Sequence, residues 1–168
     1  MKKLTILLLM CFPVFSQEYK VPPEVIKSLI EADPQPIISF NDDGSLGLVL
    51  NSDGYQSIDD LAKDELRVAG TRLDPVRYTS SRMRYYKSFS LLEINTGDEI
   101  EVEYPENGKF SFFQWSPNEQ KIAFTNTTNS GVELWVIDVN SRKSSKVIET
   151  HVNDILNSPY QWLSLIHI

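Results

Sequence analysis

The chain has 168 residues, of which 41% are hydrophobic and 11% aromatic, enough for one domain-sized core. Its formal charge at pH 7 is −7, which argues against nucleic acid or an anionic membrane surface as the main partner. Cys11 is the only cysteine and lies in a segment that we expect to be removed. We therefore expect neither disulfides nor thiolate chemistry in the mature chain.

Residues 1–16 have the pattern of a secretory signal peptide. Two lysines precede an apolar run of about twelve residues, too short to span a bilayer. Val14 and Ser16 are small enough for the two positions that signal peptidase reads, so we expect cleavage after Ser16. The protein is then predicted to be periplasmic or secreted, with no membrane attachment. The alternative is a lipoprotein anchored through Cys11, although Met10 is large for the preceding position.

A short helix is predicted next. Pro22-Pro23 suits a first helical turn, the apolar residues up to Ile30 share one helical face, and Asp33-Pro34 ends the pattern. We assign residues 17–36 to this N-terminal helical segment and residues 37–162 to a β-rich domain.

The β-rich domain repeats one pattern, in which an aromatic residue ends a strand, a polar turn follows, and an apolar strand comes next. The pattern is clearest at Trp115, where residues 116–119 supply the turn and Asn118 tolerates a left-handed backbone. The same pattern occurs at Phe40, where residues 41–44 supply the turn. Each instance predicts a pair of adjacent antiparallel strands.

Two internal matches give the length of the repeated unit. Residues 89–97 match residues 134–142 at an offset of 45, and residues 113–116 match residues 160–163 at an offset of 47. Four strands joined by tight turns in a unit of this length are typical of a β-propeller blade. The predicted fold is therefore mainly β: an incomplete propeller of about two four-stranded blades plus the start of a third, with a short N-terminal helix and a helical insertion.

The insertion occupies residues 51–88. Ser57 is the predicted cap of a helix whose apolar face continues to about Val68, and Gly70 suits its C-terminal stop. At the other end of the chain, a polar turn should follow Trp162, but the sequence there is apolar. We therefore expect residues 163–168 to be a non-native tail.

The insertion also holds a basic, aromatic-interleaved stretch in an otherwise acidic chain. Because arginine offers a planar fork of donors, Arg82 and Arg84 are candidates for binding the carboxylates or carbonyls of a peptide. The alternative is a loop whose arginines pair with local acids or with another domain. Nucleic acid is less favoured than either, because the surrounding charge is negative. The acids of residues 98–106 alternate along one strand toward water, so we expect no metal there, and no cofactor.

Taken together, these features resemble the N-terminal part of a bacterial exported serine peptidase of the prolyl oligopeptidase family, in its glutamyl-endopeptidase-like or dipeptidyl-peptidase-like branch. The resemblance covers roughly residues 18–162, and its most specific part is residues 57–75 with Ser81-Arg82 and Tyr85-Tyr86. It implies a propeller that gates access to a C-terminal α/β-hydrolase domain with a Ser-Asp-His triad.

No catalytic residue is assigned in the chain itself. The sequence contains no Gly-x-Ser-x-Gly elbow, and His151 therefore has no serine partner. The first hypothesis is the non-catalytic propeller portion of an exported serine peptidase, which meets its peptide substrate through a catalytic domain absent from this sequence. The second is a non-enzymatic periplasmic propeller of the Tol-associated type that binds protein partners.

Overall fold

The computed structural model describes residues 20–163. The predicted signal peptide, Cys11 and all but the first residue of the predicted tail lie outside this range. The chain divides into two units between Ala32 and Asp33. Neither of the helices found in residues 20–163 has the length and apolar character needed to cross a membrane.

The first unit contains the helix α1 (Glu24–Glu31), as predicted from its flanking prolines. The Pro23 carbonyl accepts hydrogen bonds from the amides of Ile26 (2.8 Å) and Lys27 (3.0 Å), which closes the first turn. The helix ends at Glu31, and Ala32 after it has an extended backbone. The helix could not have continued far, because Pro34 disfavours helical geometry at Asp33.

The second unit is mainly β. Its described residues form one helix, α2 (Ile58–Leu61), and the following strands: β1 (Ile37–Phe40), β2 (Leu46–Ser52), β3 (Leu66–Val68), β4 (Thr71–Asp74), β5 (Thr79–Ser80), β6 (Tyr86–Glu93), β7 (Asp98–Glu101), β8 (Phe110–Trp115), β9 (Lys121–Thr127), β10 (Val132–Asp138) and β11 (Lys143–Lys146).

Two antiparallel meanders of four strands each make up most of this unit. The first meander pairs β1, β2, β6 and β7 in that order, and the second pairs β8, β9, β10 and β11. One residue pair, Tyr86 with Phe110, connects their described strands, and an isolated parallel bridge joins Glu103, just after β7, to Lys143 of β11. The prediction of a mainly β fold with short antiparallel strands is therefore confirmed.

Equivalent turns in the two meanders have the same hydrogen bonds. The Asn41 amide donates to the Leu46 carbonyl (3.0 Å), and 75 residues later the Ser116 amide donates to the Lys121 carbonyl (2.8 Å). In return, the side-chain oxygens of Asn41 and Ser116 accept from the amides of Leu46 (2.9 Å) and Lys121 (3.0 Å). The left-handed residue of the second turn is Glu119 (φ 57°) rather than Asn118.

The turns that end the third strand of each meander also agree. The Gly97 amide donates to the Glu93 carbonyl, and the Arg142 amide donates to the Asp138 carbonyl, both at 2.8 Å. Gly97 and Arg142 both have positive φ angles, 77° and 60°. The sequence match at an offset of 45 therefore corresponds to the same local structure.

The hydrophobic core combines strands of both meanders. Its buried members come from β2, β6, the residue after β7, and β8 to β10: Leu48, Leu50, Phe89, Leu91, Val102, Phe110, Ile122, Phe124 and Ile137. Phe89 lies at the centre, with ring centroids 5.1 Å from Phe110, 5.0 Å from Phe113 and 5.2 Å from Phe124. These edge-to-face pairs add about 0.5–1.5 kcal/mol each to the burial of the rings.

The insertion differs from its prediction. The helix is capped by Ser57, whose hydroxyl accepts from the Asp60 amide (3.1 Å), but it ends at Leu61. The segment Leu66–Val68 is the strand β3, which pairs with β4, and β4 pairs with β5. Ala69 and Gly70 both have positive φ (49° and 87°), the geometry of a two-residue hairpin loop. The expected helix to Val68 is therefore wrong, because this turn returns the chain as a hairpin.

The third repeat also departs from expectation. Residues 160–162 form no strand, although their side chains reach β8 and β9. The Tyr160 hydroxyl donates to the Ala123 carbonyl (2.8 Å) and lies against the Phe112 carbonyl, and Trp162 Nε1 donates to the Gln114 carbonyl (3.1 Å). Phe112 has a φ of 53° at a register shift in β8. Side-chain bonds therefore attach Tyr160 and Trp162 to β8 and β9.

Candidate carboxylate-binding cleft

A cleft of about 730 Å³ opens between the insertion and the residues that precede β8. Both predicted arginines, Arg82 and Arg84, line it. The other charged residues that line the cleft are two acids and two lysines: Asp53, Asp60, Lys87 and Lys109. Three tyrosines, Tyr55, Tyr85 and Tyr86, complete much of the remaining wall. Four cations against two carboxylates leave this surface with excess positive charge in an acidic chain.

The backbone that carries Arg82 is held in an uncommon conformation. Arg82 has a φ of 62°, which is unusual for a residue with a side chain and persists only where neighbours stabilise it. The side-chain amide of Gln56 supplies that support by donating to the Met83 carbonyl (3.1 Å) and to the Arg82 carbonyl. Gln56 thus holds the loop from across the cleft.

Three arginine side chains contact the carboxylate of Glu65. Its oxygens lie 3.0 Å from Arg67 Nη2, 2.5 Å from Arg72 Nη1 and 3.3 Å from Arg82 Nε. The Ser81 hydroxyl donates a further hydrogen bond at 2.9 Å. This bond from Ser81, with the nearby guanidinium groups, lowers the pKa of Glu65 below its ordinary value.

The other cleft cations differ in how far their charges are matched. Lys87 Nζ lies 3.0 Å from Asp33 and 3.3 Å from Asp53, and Lys109 Nζ lies 2.6 Å from Asp60. Arg84 is exposed and forms no ion pair with any residue in the range 20–163. Arg84 is therefore the cleft cation with the most accessible charge in the described part of the chain.

The two interpretations of the basic stretch each fit part of it. Arg72 and Arg82 pair with Glu65, and Arg77 Nε lies 3.5 Å from Asp74, as expected for arginines that pair with local acids. Arg84 has no such partner among residues 20–163, and the ion pair of Arg82 with Glu65 is made at Nε. The structure thus brings the two candidate residues to one cleft and gives most of the other arginines a structural partner.

Asp60 and Lys109 connect the insertion to the second meander. Burial acts to raise the pKa of Asp60, but hydrogen bonds from Lys109, Lys63 and Ser57 outweigh it, so the pKa is well below its ordinary value. Lys109 Nζ also lies 5.7 Å from the centre of the Tyr85 ring, within the range of a cation–π contact. Tyr85 therefore lines the cleft and also contacts one of its charged residues, Lys109.

Behind Tyr85 lies a group of buried polar side chains that the sequence did not indicate. Asp154, Thr79 and Thr127 are each at least 95% buried, with relative exposures of 1%, 1% and 4%. Within residues 20–163, the carboxylate oxygens of Asp154 and the hydroxyls of Thr79 and Thr127 make no hydrogen bond of good geometry. Burial raises the pKa of the Asp154 carboxyl, although the nearby Thr79 side chain partly opposes this. The Asp154 amide donates to the Tyr78 carbonyl (3.1 Å), which brings residue 154 to the insertion.

Neither a catalytic constellation nor a metal centre is found among residues 20–163. His151 is exposed, and its Nε2 lies 3.4 Å from the Ser130 hydroxyl. A histidine and serine of this kind, without a buried carboxylate behind the ring, lack the arrangement of a triad. In the same range, no three His, Cys, Asp or Glu side chains come together as metal ligands.

Comparison with known proteins gives two relatives with peptidase names. The chain is 30% identical over 160 residues to a probable chloroplastic glutamyl endopeptidase of Oryza sativa subsp. japonica, in an alignment covering 87% of the chain and 17% of the relative. It is 30% identical over 131 residues to the protein of the same name from Arabidopsis thaliana, covering 72% of the chain and 14% of the relative. No family model matches the chain. It thus spans less than a fifth of each relative, and the matches suggest a peptidase-related family.

Proposed function

We propose that the two meanders are consecutive blades of a β-propeller and that Tyr160 and Trp162 begin a third. The equivalent turns at Asn41 and Ser116 support this proposal, because a blade repeats its hydrogen bonds at corresponding positions. The bonds from Tyr160 and Trp162 to β8 and β9 support it as well, since successive units of a repeat protein stabilise each other mainly at their shared interface.

We further propose that this propeller is the non-catalytic portion of an exported serine peptidase that hydrolyses peptides. The peptidase names of the two relatives support this function, and the catalytic α/β-hydrolase domain would lie outside the residues given. The propeller would gate access of peptides to that domain. Export follows from the predicted signal peptide, so the protein recovered outside the cytoplasm should begin at Gln17, which N-terminal sequencing tests.

The observation that carries the proposed role of this chain is the charge of Arg84, which lies in the cleft with Arg82 and has no ion pair among residues 20–163. A guanidinium binds a carboxylate through two parallel hydrogen bonds, and the ion pair of Arg82 with Glu65 is made at Nε, away from the Nη edge that would meet such a ligand. The tyrosines of the cleft provide apolar surface for the neighbouring part of a peptide. We propose that the cleft holds a carboxylate of a peptide substrate as the peptide passes to the catalytic domain.

The test uses the full-length protein. A serine-reactive fluorophosphonate should label it, and it should hydrolyse an acidic peptide. Arg84→Gln should raise KM for that peptide about tenfold with a much smaller change in kcat, the pattern of lost uniform binding. Arg142→Gln, on the turn after β10, is the matched control and should leave both constants unchanged. A full-length protein with neither labelling nor hydrolysis would instead support the non-enzymatic propeller that binds protein partners.

A further inference from the structure

We propose that Glu65 is a positioning residue of the cleft. Its carboxylate holds the guanidinium of Arg82 in an orientation that suits a ligand carboxylate, although Glu65 carries the same negative charge as that ligand. This proposal rests on the carboxylate-binding role proposed above and assigns a specific part of it to Glu65. Glu65 does not line the cleft, whereas Arg82 does. Its effect on a ligand would therefore pass through the side chain of Arg82.

The contact between the two residues fixes one end of the guanidinium. A Glu65 oxygen lies 3.3 Å from Arg82 Nε, the guanidinium nitrogen nearest the aliphatic stem. Among residues 20–163 no hydrogen bond uses Nη1 or Nη2 of Arg82, so their four N–H bonds are available to a ligand. Because a guanidinium is planar, a carboxylate held close to Nε also restricts the plane in which those bonds point. The side chain is 45% exposed, so this free edge remains accessible.

The backbone of Arg82 is fixed as well. Gln56 donates to the carbonyls of Arg82 and Met83, and Arg82 keeps a φ of 62°. A strained backbone and an anchored side chain at the same residue are costly unless other interactions compensate for them. Here both constraints act on a residue that lines the cleft, as expected when a binding group is arranged before its ligand arrives.

Glu65 can hold Arg82 without cancelling the positive charge. Arg67 and Arg72 also contact its carboxylate, so this cluster of one acid and three arginines keeps a net positive charge. A Glu65→Gln substitution would add a further positive charge to the region. Simple charge attraction therefore predicts that this variant binds an anionic peptide more tightly. Positioning predicts that the variant binds the peptide more weakly. The two explanations therefore predict opposite changes in affinity.

The experiment measures peptide binding to the full chain by fluorescence anisotropy. The probe is a fluorescein-labelled pentapeptide with one central glutamate and an amidated C-terminus. We expect Glu65→Gln and Arg82→Gln each to weaken binding about five- to tenfold, and the double variant to be no weaker than Arg82→Gln alone. Arg67→Gln is the control, because Arg67 also contacts Glu65 but does not line the cleft, and it should change the affinity less than twofold.

A second variant keeps the proposal testable if Glu65→Gln does not fold. Arg82→Lys retains the charge but lacks the Nε donor and the planar fork, so it should bind as weakly as Arg82→Gln. Tighter binding by Glu65→Gln, additive losses in the double variant, or wild-type affinity of Arg82→Lys would each overturn the positioning role.

Two further probes separate this role from the carboxylate site itself. A glutamine-containing pentapeptide with a free C-terminus tests recognition of a terminal carboxylate, and its amidated form carries no carboxylate except that of the fluorescein label, which all the probes share. If the amidated glutamine peptide binds as tightly as both acidic probes, the carboxylate site fails, and the positioning role fails with it. If a carboxylate probe binds selectively and Arg84→Gln weakens it while Glu65→Gln strengthens it, only the positioning role fails.

Discussion

The two meanders share a framework but differ in what lies between their second and third strands. In the second meander, β9 and β10 are joined by a short turn, whereas in the first the whole insertion lies between β2 and β6. The β2–β6 pairing remains regular from Leu46 with Glu93 to Leu50 with Phe89, and its register shifts only after Asn51, beside the insertion. The insertion and its cleft have thus been added at one loop without changing the sheet that supports them.

Of the substitutions that test this comparison, one in the core of the second meander should change stability most. Phe124 is fully buried and contacts Phe89, Phe110, Phe113 and Trp135. Phe124→Ala should lower the free energy of unfolding by about 3–5 kcal/mol, the usual cost of an aromatic cavity. Urea unfolding followed by tryptophan fluorescence measures the loss.

Val49 occupies the equivalent position of the first meander, 75 residues earlier, and is 8% exposed. Val49→Ala removes less apolar volume and should cost about 2 kcal/mol. Equal costs for the two substitutions would show that burial at this strand position, rather than side-chain volume, decides the loss.

A second test concerns the buried carboxyl of Asp154, where the chain after the second meander meets the insertion. Its pKa is raised in the folded chain, so folding favours the protonated form. The contribution of this group to stability is fully present below its unfolded pKa, near 3.8, and is lost as the pH rises through the folded value. Asp154→Asn should therefore stabilise the chain at pH 7, by roughly 1–3 kcal/mol, because no unpartnered carboxylate remains buried.

Thermal unfolding from pH 4 to pH 8 checks this expectation. The gain of Asp154→Asn should grow with pH and vanish near pH 4. The control is Asp138→Asn, since hydrogen bonds from Ser141 lower the pKa of that exposed carboxyl and the substitution should destabilise at neutral pH instead. A loss of stability in Asp154→Asn at pH 7 would mean that the carboxylate has an ionic partner.

The third test compares the two equivalent turns, of which only one carries a side chain at its left-handed position. Glu119 accepts hydrogen bonds from the Asp42 amide (2.6 Å) and from Asn41 Nδ2 (3.1 Å), so it connects the second turn to the first. Gly44 occupies the same position in the first turn, with a φ of 71°, and cannot return such a bond. Glu119→Ala should cost about 1–2 kcal/mol, because it removes both bonds and keeps the strained backbone.

Glu119→Gly separates the two contributions. It removes the same bonds but relieves the left-handed backbone, so it should be less destabilising than Glu119→Ala by about 1 kcal/mol. Gly44→Ala is the reciprocal control and should cost about 1 kcal/mol through its backbone alone. Equal stability of the alanine and glycine variants at position 119 would show that this turn carries no backbone strain.

The repeated turns were predictable from the sequence because their partners are close along the chain. The aromatic residue, the polar turn and the apolar strand at Trp115 lie within a few residues, and the same pattern identified the turn at Phe40. The hairpin of β3 and β4 was missed for the opposite reason. Leu61 and Leu66 also fit one face of a helix. The positive φ angles of Ala69 and Gly70, which distinguish a hairpin from a helix here, are visible only in the structure.

The cleft was predictable only in part. Arg82 and Arg84 stood out as basic residues in an acidic chain, whereas nothing in the sequence singled out Gln56 or Glu65. Gln56 acts 26 residues away from Arg82, and the Asp60–Lys109 pair spans 49 residues. Contacts over such separations depend on how the insertion returns to the sheet, which no local pattern encodes.

The smallest effect is expected at the pair that joins the insertion to the second meander. Lys109 Nζ lies 2.7 and 2.6 Å from the two oxygens of Asp60, and a partly exposed ion pair of this kind contributes about 0.2–1 kcal/mol. Lys109→Met should lower stability by that amount. The low pKa of Asp60 means that its contribution is present above the unfolded value and is lost as the pH falls, so the effect should shrink under acid conditions.

Lys63→Met is the matched control for this pair, because Lys63 contacts the same carboxylate from three residues away and connects nothing outside the insertion. Both variants should lose a similar small amount of global stability. Hydrogen exchange should separate them, since only Lys109→Met is expected to increase exchange of the α2 amides relative to those of β8. Equal exchange in the two variants would show that the insertion is held to the second meander by other contacts, with the Lys109–Asp60 pair contributing only charge to the cleft.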